Sequence, residues 1–135
     1  MIRIRNEGDA AAIAAIQARS PDAAPWTPES VAGAVCEVAV LEGAAAGFIV
    51  WRETAPGERE ILNLAVDPRA RRLGIGRRLV ERVLEARGEC FLEVRESNHG
   101  ARAFYRTLGF RDAGTRMNYY SGPAENGIVM KFSSW

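Results

Sequence analysis

The stretch of this 135-residue chain best equipped for chemistry is Arg71-Arg72-Leu73-Gly74-Ile75-Gly76, followed by Arg77-Arg78. It comes just after the apolar run ending in Ala65-Val66-Asp67-Pro68 and opens an amphipathic segment. Glycines let the backbone approach an anion closely, the first amides of a helix have no intrahelical acceptor, and the helix dipole adds partial positive charge. Arginines at 69, 71, 72, 77 and 78 concentrate charge here, although the whole chain is formally only +1. Charge this local points to a bound anion such as a pyrophosphate. Further on, Glu93 interrupts the apolar run from Cys90 to Val94, where desolvation would raise its pKa toward that of a useful base. Tyr105 follows twelve residues later, next to Phe104.

Two familiar phosphate motifs fail on particular residues. A Walker loop needs Lys and then Ser or Thr after its last glycine, and here Gly76 is followed by Arg77-Arg78. A dinucleotide fingerprint needs a third glycine or alanine at position 79, which is Leu79.

The elements that must position these residues are legible from periodicity and turn chemistry. Ile2 to Arg5 alternates like a strand, and Asp9 can cap a helix from Ala10 to Arg19 that places Ile13 and Ile16 on one face. Thr27 and Pro28 open a second short helix. Strands are expected over Glu37 to Leu41, Gly47 to Arg52 and Glu60 to Val66, with a turn at Pro56-Gly57. A helix should run from Ile75 to Arg87 and stop at Gly88, a strand should cover Cys90 to Val94, and Asn98 should cap a helix ended by Gly109. Arg111 to Tyr119 and Ile128 to Phe132 read as final strands, joined by the loop Ser121 to Gly127. This pattern describes one mixed α/β domain of 135 residues. Its centre is a crossover unit with parallel strands and an anion site at their C-terminal ends.

Composition narrows the function classes. Apolar content of 47% with 26% charged residues fits a soluble globular protein. Near-neutral net charge argues against coating nucleic acid or a membrane surface, so neither is expected as a partner. Cys36 and Cys90 stand far apart, which provides neither a redox pair nor a zinc cluster, and no metal is expected. Buried thiols in a reducing cytoplasm are the plain reading, and no signal-like or membrane-spanning run contradicts it.

Arg71, Gly74 and Gly76 match the pattern Arg/Gln-x-x-Gly-x-Gly/Ala, and the chain here resembles the GNAT superfamily of acyl-CoA-dependent N-acetyltransferases. The resemblance extends through Asn63-Leu64-Ala65-Val66-Asp67-Pro68, Leu92-Glu93-Val94-Arg95, Ser97-Asn98 and Ala103 to Phe110. Within the superfamily the chain is similar to bacterial ribosomal-protein-alanine N-acetyltransferases, through Pro25-Trp26-Thr27, Asn118-Tyr119-Tyr120 and Ile128-Val129-Met130. That similarity covers almost the full length, although the helix after Gly76 is several residues shorter than the family would suggest. It implies a single GNAT-like domain, with a mixed sheet of about six to seven strands flanked by about four helices.

The resemblance also implies roles. Backbone groups of Leu64, Ala65 and Val66 would bind the pantetheine arm of acetyl-CoA as an added strand. Arg71, Arg72, Leu73, Gly74, Ile75, Gly76 and Arg77 would hold the pyrophosphate, and Asn98 would touch the cofactor further along. Glu93 would act as the base, directly or through water, and Tyr105 would protonate the departing thiolate. The acceptor implied is an N-terminal α-amine, plausible on a ribosomal protein. At pH 7 roughly a tenth of α-amines are neutral, against about 0.04% of lysine side chains, so an α-amine asks less of its base. A small-molecule amine or a lysine remains an alternative acceptor, and a non-catalytic acyl-CoA-binding module is an alternative of another class. Trp26, Tyr119 and Tyr120 either line the acceptor cleft or simply pack, whereas His99, Glu29 and Glu125 read as surface.

Overall fold

In the computed structural model, residues 1–20 and 33–134 are described. They form β1 (Ile2–Ile4), α1 (Ala10–Ala18), β2 (Val35–Leu41), β3 (Ala44–Ala55), β4 (Glu58–Val66), α2 (Ile75–Leu84), β5 (Glu89–Arg95), α3 (His99–Thr107), β6 (Arg111–Tyr120) and β7 (Glu125–Ser133). Short 3-10 turns at Glu7–Asp9 and Pro68–Ala70 precede the first two helices. The seven strands among the described residues form one mixed sheet. The fold class is as expected, with three α-helices among the described residues; the helix expected at Thr27 and Pro28 lies outside them.

The chain clusters into two compact units, with β3 and β4 contributing to both: the change falls after Glu53 in β3 and before Ile61 in β4. In the first unit the strand order is β1-β2-β3-β4. β1 and β2 pair antiparallel from Ile2↔Ala39 to Ile4↔Glu37, and β2 and β3 from Val35↔Trp51 to Leu41↔Ala44. The β2–β3 hairpin closes on Glu42 and Gly43, at φ 51° and 80°. Positive φ at both turn residues matches the strands' right-handed twist, so β3 starts earlier than expected.

Strand alternation then sends side chains to two faces. Cys36, Val38, Phe48 and Val50 join Ile13 and Ile16 of α1 and Ala65 in one apolar cluster. Glu37, on the opposite face of β2, accepts from Arg82 Nε of α2 at 3.3 Å and from Trp51 Nε1 at 3.2 Å. Those two donors satisfy a carboxylate that the strand pattern buries.

In the second unit the order is β4-β5-β7-β6. The start of β4 runs parallel to β5 through Glu58↔Glu89, Arg59↔Cys90 and Glu60↔Phe91, the parallel pairing a crossover helix requires. β7 pairs antiparallel with β5 from Glu89↔Ser133 to Arg95↔Gly127, and with β6 from Arg111↔Lys131 to Tyr120↔Glu125.

Gly88 does not end α2 as expected, for the helix stops at Leu84. Its carbonyl instead accepts from Ser134 N–H at 2.9 Å, while Glu89 N–H donates to Gly57 O at 2.8 Å. A Cβ at Gly88 would lie 2.2 Å from Gly57 O. Backbone pairing thus claims these residues before the helical pattern runs out.

Candidate active site

The expected site residues divide between the units: the cradle belongs to the first, and Glu93, Asn98 and Tyr105 to the second. In the first, Leu64, Ala65 and Val66 form the C-terminal end of β4. The chain then turns through Pro68–Ala70, and Arg72 and Gly74 take left-handed backbone at φ 69° and 76°, on either side of exposed Leu73. A Cβ at Gly74 would meet nothing within 4 Å, so glycine is favoured there by its φ and not by crowding.

Gly74 is the N-cap of α2, and the Arg78 N–H to Gly74 O bond of 3.1 Å opens the helix. The amides of Ile75, Gly76 and Arg77 therefore precede the helical ladder and form the positive end of the dipole. Arg71, Arg72, Arg77 and Arg78 are all exposed around this start. Backbone donors ringed by exposed cations suit a diphosphate.

Two residues that shape this turn carried no functional reading in the sequence. Asp67 is buried, and its carboxylate accepts from Arg69 N–H at 2.9 Å, Arg69 Nη2 at 2.9 Å and Arg19 Nη1 at 3.0 Å. The Arg69 hydrogen bonds, reinforced by Arg19, hold that carboxyl well below the usual carboxylate range. Asp67 thereby ties the end of α1 to the turn that enters the cradle. Gly47 is the other: a Cβ there would stand 3.0 Å from Ala65 O and 3.2 Å from Ile75 Cγ2. Asp67 was legible as an Asp-Pro turn signal, but Gly47 gave no local signal because its neighbours come from distant elements.

In the second unit Glu93 lies mid-strand on β5, its side chain 15% exposed. Its Oε2 is buried and accepts no hydrogen bond. Burial raises its pKa, Arg116 opposes that rise, and Glu60 reinforces it. The expected shift toward a stronger base is present. The arginine at Glu93 is Arg116, at 3.5 Å, while Arg95 pairs with Glu125 at 3.3 Å.

Tyr105 is the buried residue of α3, set edge-on to Phe104 at 5.1 Å and to Phe110 at 5.4 Å between ring centroids. Burial, with Cys90 beside it, pushes its pKa up, so the phenol stays protonated. Cys90 itself is pushed up to about 12 by burial, which shows how strongly this interior disfavours a thiolate. Registers Cys90↔Phe132 and Leu92↔Met130 put Tyr105's neighbours on the even face of β5. Glu93, near Gly127 and Arg116, points from the odd face. The two expected catalytic groups thus occupy opposite faces of one strand.

Asn98 caps α3, its Oδ1 accepting from Ala101 N–H at 3.1 Å. Just before it, Ser97 N–H donates to Glu125 Oε1, and Arg95 donates to Pro123 O at 2.9 Å and Ser121 O at 3.1 Å. Arg95 also covers the Tyr120 ring, 4.6 Å from its centroid. Glu125, expected as plain surface, therefore helps anchor the β6–β7 turn to the end of β5. Tyr119 is half exposed and His99 is exposed, while Trp26 and Glu29 lie outside the described residues.

Known proteins share the family and the fold. The model of the Acetyltransferase (GNAT) family matches residues 5–110. Over 91 residues, 66% of this chain, the sequence is 40% identical to N-alpha-acetyltransferase RimI of Mycobacterium tuberculosis, covering 58% of that protein. Over 80 residues, 54% of this chain, it is 45% identical to the [ribosomal protein bS18]-alanine N-acetyltransferase of Escherichia coli K12, covering 54% of it. The matched stretch spans little more than half the length of these two relatives. The crystal structure of the ribosomal-protein-S18-alanine N-acetyltransferase from Escherichia coli superposes with a TM-score of 0.80 at 30% identity, covering 98% of this chain and 92% of that one. With its strand-turn-helix cradle and a family match across most of its length, this chain belongs to the GNAT acetyltransferase family.

Proposed function

We propose that residues 1–135 work as one N-acetyltransferase domain that moves acetyl from acetyl-CoA to an amine, foremost the N-terminal α-amine of a protein such as a ribosomal protein. The observation that carries this reading is Glu93 Oε2, a buried carboxylate oxygen with no hydrogen-bond donor, on the strand that follows the cradle and α2. A buried acceptor left open costs stability unless a ligand uses it. An attacking amine supplies the missing donor.

In this mechanism the amides of Ile75, Gly76 and Arg77 hold the pyrophosphate, with Arg71 and Arg72 around it, and the ends of Leu64, Ala65 and Val66 take the pantetheine amides. Acetyl-CoA supplies the activated thioester. Glu93 removes a proton from the amine as it attacks, directly or through one water. Tyr105 donates to the sulfur as the carbon–sulfur bond breaks. Full proton transfer from a phenol with a raised pKa requires a thiolate made basic by the same burial, as Cys90 is. Asn98 spends its carbonyl oxygen on the cap and keeps its amide NH2 for the cofactor.

The acceptor reading draws on the two named relatives that act on a protein α-amine, and such a substrate would be met in the cytoplasm. The test uses purified protein, acetyl-CoA and peptides beginning with alanine, compared with N-blocked peptides carrying an internal lysine and with small amines. Mass spectrometry should find acetyl on the α-amine of the unblocked peptides. Acetylation confined to lysines or small amines would overturn the acceptor, and binding without turnover on any of them would overturn the activity.

A further inference from the structure

Glu93 Oε2 has no hydrogen-bond donor, yet a cation stands beside it. Arg116 Nε lies 3.5 Å away, a separation that gives charge attraction without hydrogen-bond geometry. Three features aim that cation. Arg116 is registered opposite Gly127, and Gly127 has no side chain to fill the gap: a Cβ there would sit 2.7 Å from Glu93 Oε2 and 3.3 Å from Tyr119 Cδ2. The guanidinium carbon lies 5.2 Å from the centroid of the Tyr119 ring, within cation–π range. The Arg116 side chain is 60% exposed, so it can move aside at little cost.

We propose that Arg116 is a positioning residue for Glu93: braced on Tyr119, it presents its charge to Oε2 across Gly127 and keeps the carboxylate ionised until the acceptor amine makes the hydrogen bond that Arg116 does not. This rests on the reading of Glu93 as the base.

Each strand beside Glu93 brings groups that face it. β6 brings Arg116, Tyr119 and Tyr120; β4 brings Glu60; β7 brings the backbone at Gly127. On β5 itself, Arg95 is committed to Glu125. Burial and Glu60 favour the protonated carboxyl, and Arg116 opposes both. Removing Arg116 therefore raises the pKa of Glu93 in the folded protein.

The test is the pH profile of kcat/KM with an alanine-initiated peptide. That profile rises in two steps: the upper one, near pH 8, is loss of the proton from the α-amine and stays in place in every variant, and the lower limb is ionisation of Glu93. Arg116→Gln should move the lower limb upward by roughly half a pH unit or more. Arg116→Lys should restore it, and the KM for acetyl-CoA should not change. A carbon NMR titration of the glutamate carboxyls, with the Glu93 signal identified by its loss in Glu93→Gln, should show the same upward shift.

If Glu93→Gln abolishes the lower limb while Arg116→Gln leaves limb and titration unmoved, the proposal fails and the base assignment stands. A loss in Arg116→Gln that is equal at every pH, with no shift in the titration, also overturns it. If Glu93→Gln keeps wild-type kcat/KM and profile, the base assignment itself falls and takes the proposal with it.

Discussion

Burial raises the pKa of both Glu93 and Tyr105, which makes the carboxylate a readier proton acceptor and keeps the phenol protonated. Glu93→Gln keeps the shape and removes the proposed base, so kcat should fall about 100-fold or more, measured by single-turnover acetylation. Tyr105→Phe keeps the ring packed between Phe104 and Phe110, so thermal stability should hold while kcat drops about tenfold or more. With the Tyr105 pKa raised, wild-type kcat should show no loss from its ionisation at pH about 10, where an ordinary tyrosine is half ionised. Asp67 works through its partners. Its folded pKa is depressed, so its stabilisation is complete above the unfolded carboxylate value of about 4 and fades as pH falls toward the folded value. Asp67→Asn should accordingly lower Tm at pH 7, and the gap to wild type should close in scans below pH about 4.

At the scale of elements, two glycines with positive φ serve different ends. Gly74, at φ 76° in open space, lets the chain reverse into α2; Gly88, at φ 132°, is crowded by the Gly57 carbonyl. Gly74→Ala should cost about 1 kcal/mol of stability in denaturant unfolding and weaken acetyl-CoA binding by calorimetry. Gly88→Ala should cost about 1–3 kcal/mol or more and leave acetyl-CoA affinity unchanged in the folded fraction. The contrast was half legible in advance. Gly74 was legible as a glycine that lets the backbone approach an anion, and the structure adds that it enters α2 with left-handed backbone. Gly88 looked like a helix stop because it followed an apolar 3.6-residue period, but its true neighbour, Gly57, lies in a different hairpin. Likewise Glu125 read as surface, because nothing local shows that Arg95 and Ser97 would meet it.

For the molecule as a whole, a ligand that binds only the folded state stabilises it by mass action, by about 2.7 kcal/mol at 100 times its Kd. Acetyl-CoA should raise Tm in a concentration-dependent way, whereas NAD and ATP should not; the reverse result would overturn the donor assignment. Among the described residues, no helix is long and apolar enough to cross a membrane. The chain alone carried the order of elements, the parallel crossover, the cradle and the candidates Glu93, Asn98 and Tyr105. The elements, the crossover and the cradle follow from periodicity, turn chemistry and motif spacing, which are local, whereas the roles expected of Glu93, Asn98 and Tyr105 come from the family resemblance that their motifs carry. Folding was needed to show that Glu93 and Tyr105 occupy opposite faces of β5, that Arg116 and not Arg95 faces the carboxylate, and that Asp67 and Gly47 build the turn. Those facts depend on register and on contacts between residues far apart in the chain, and such contacts leave no mark on local spacing.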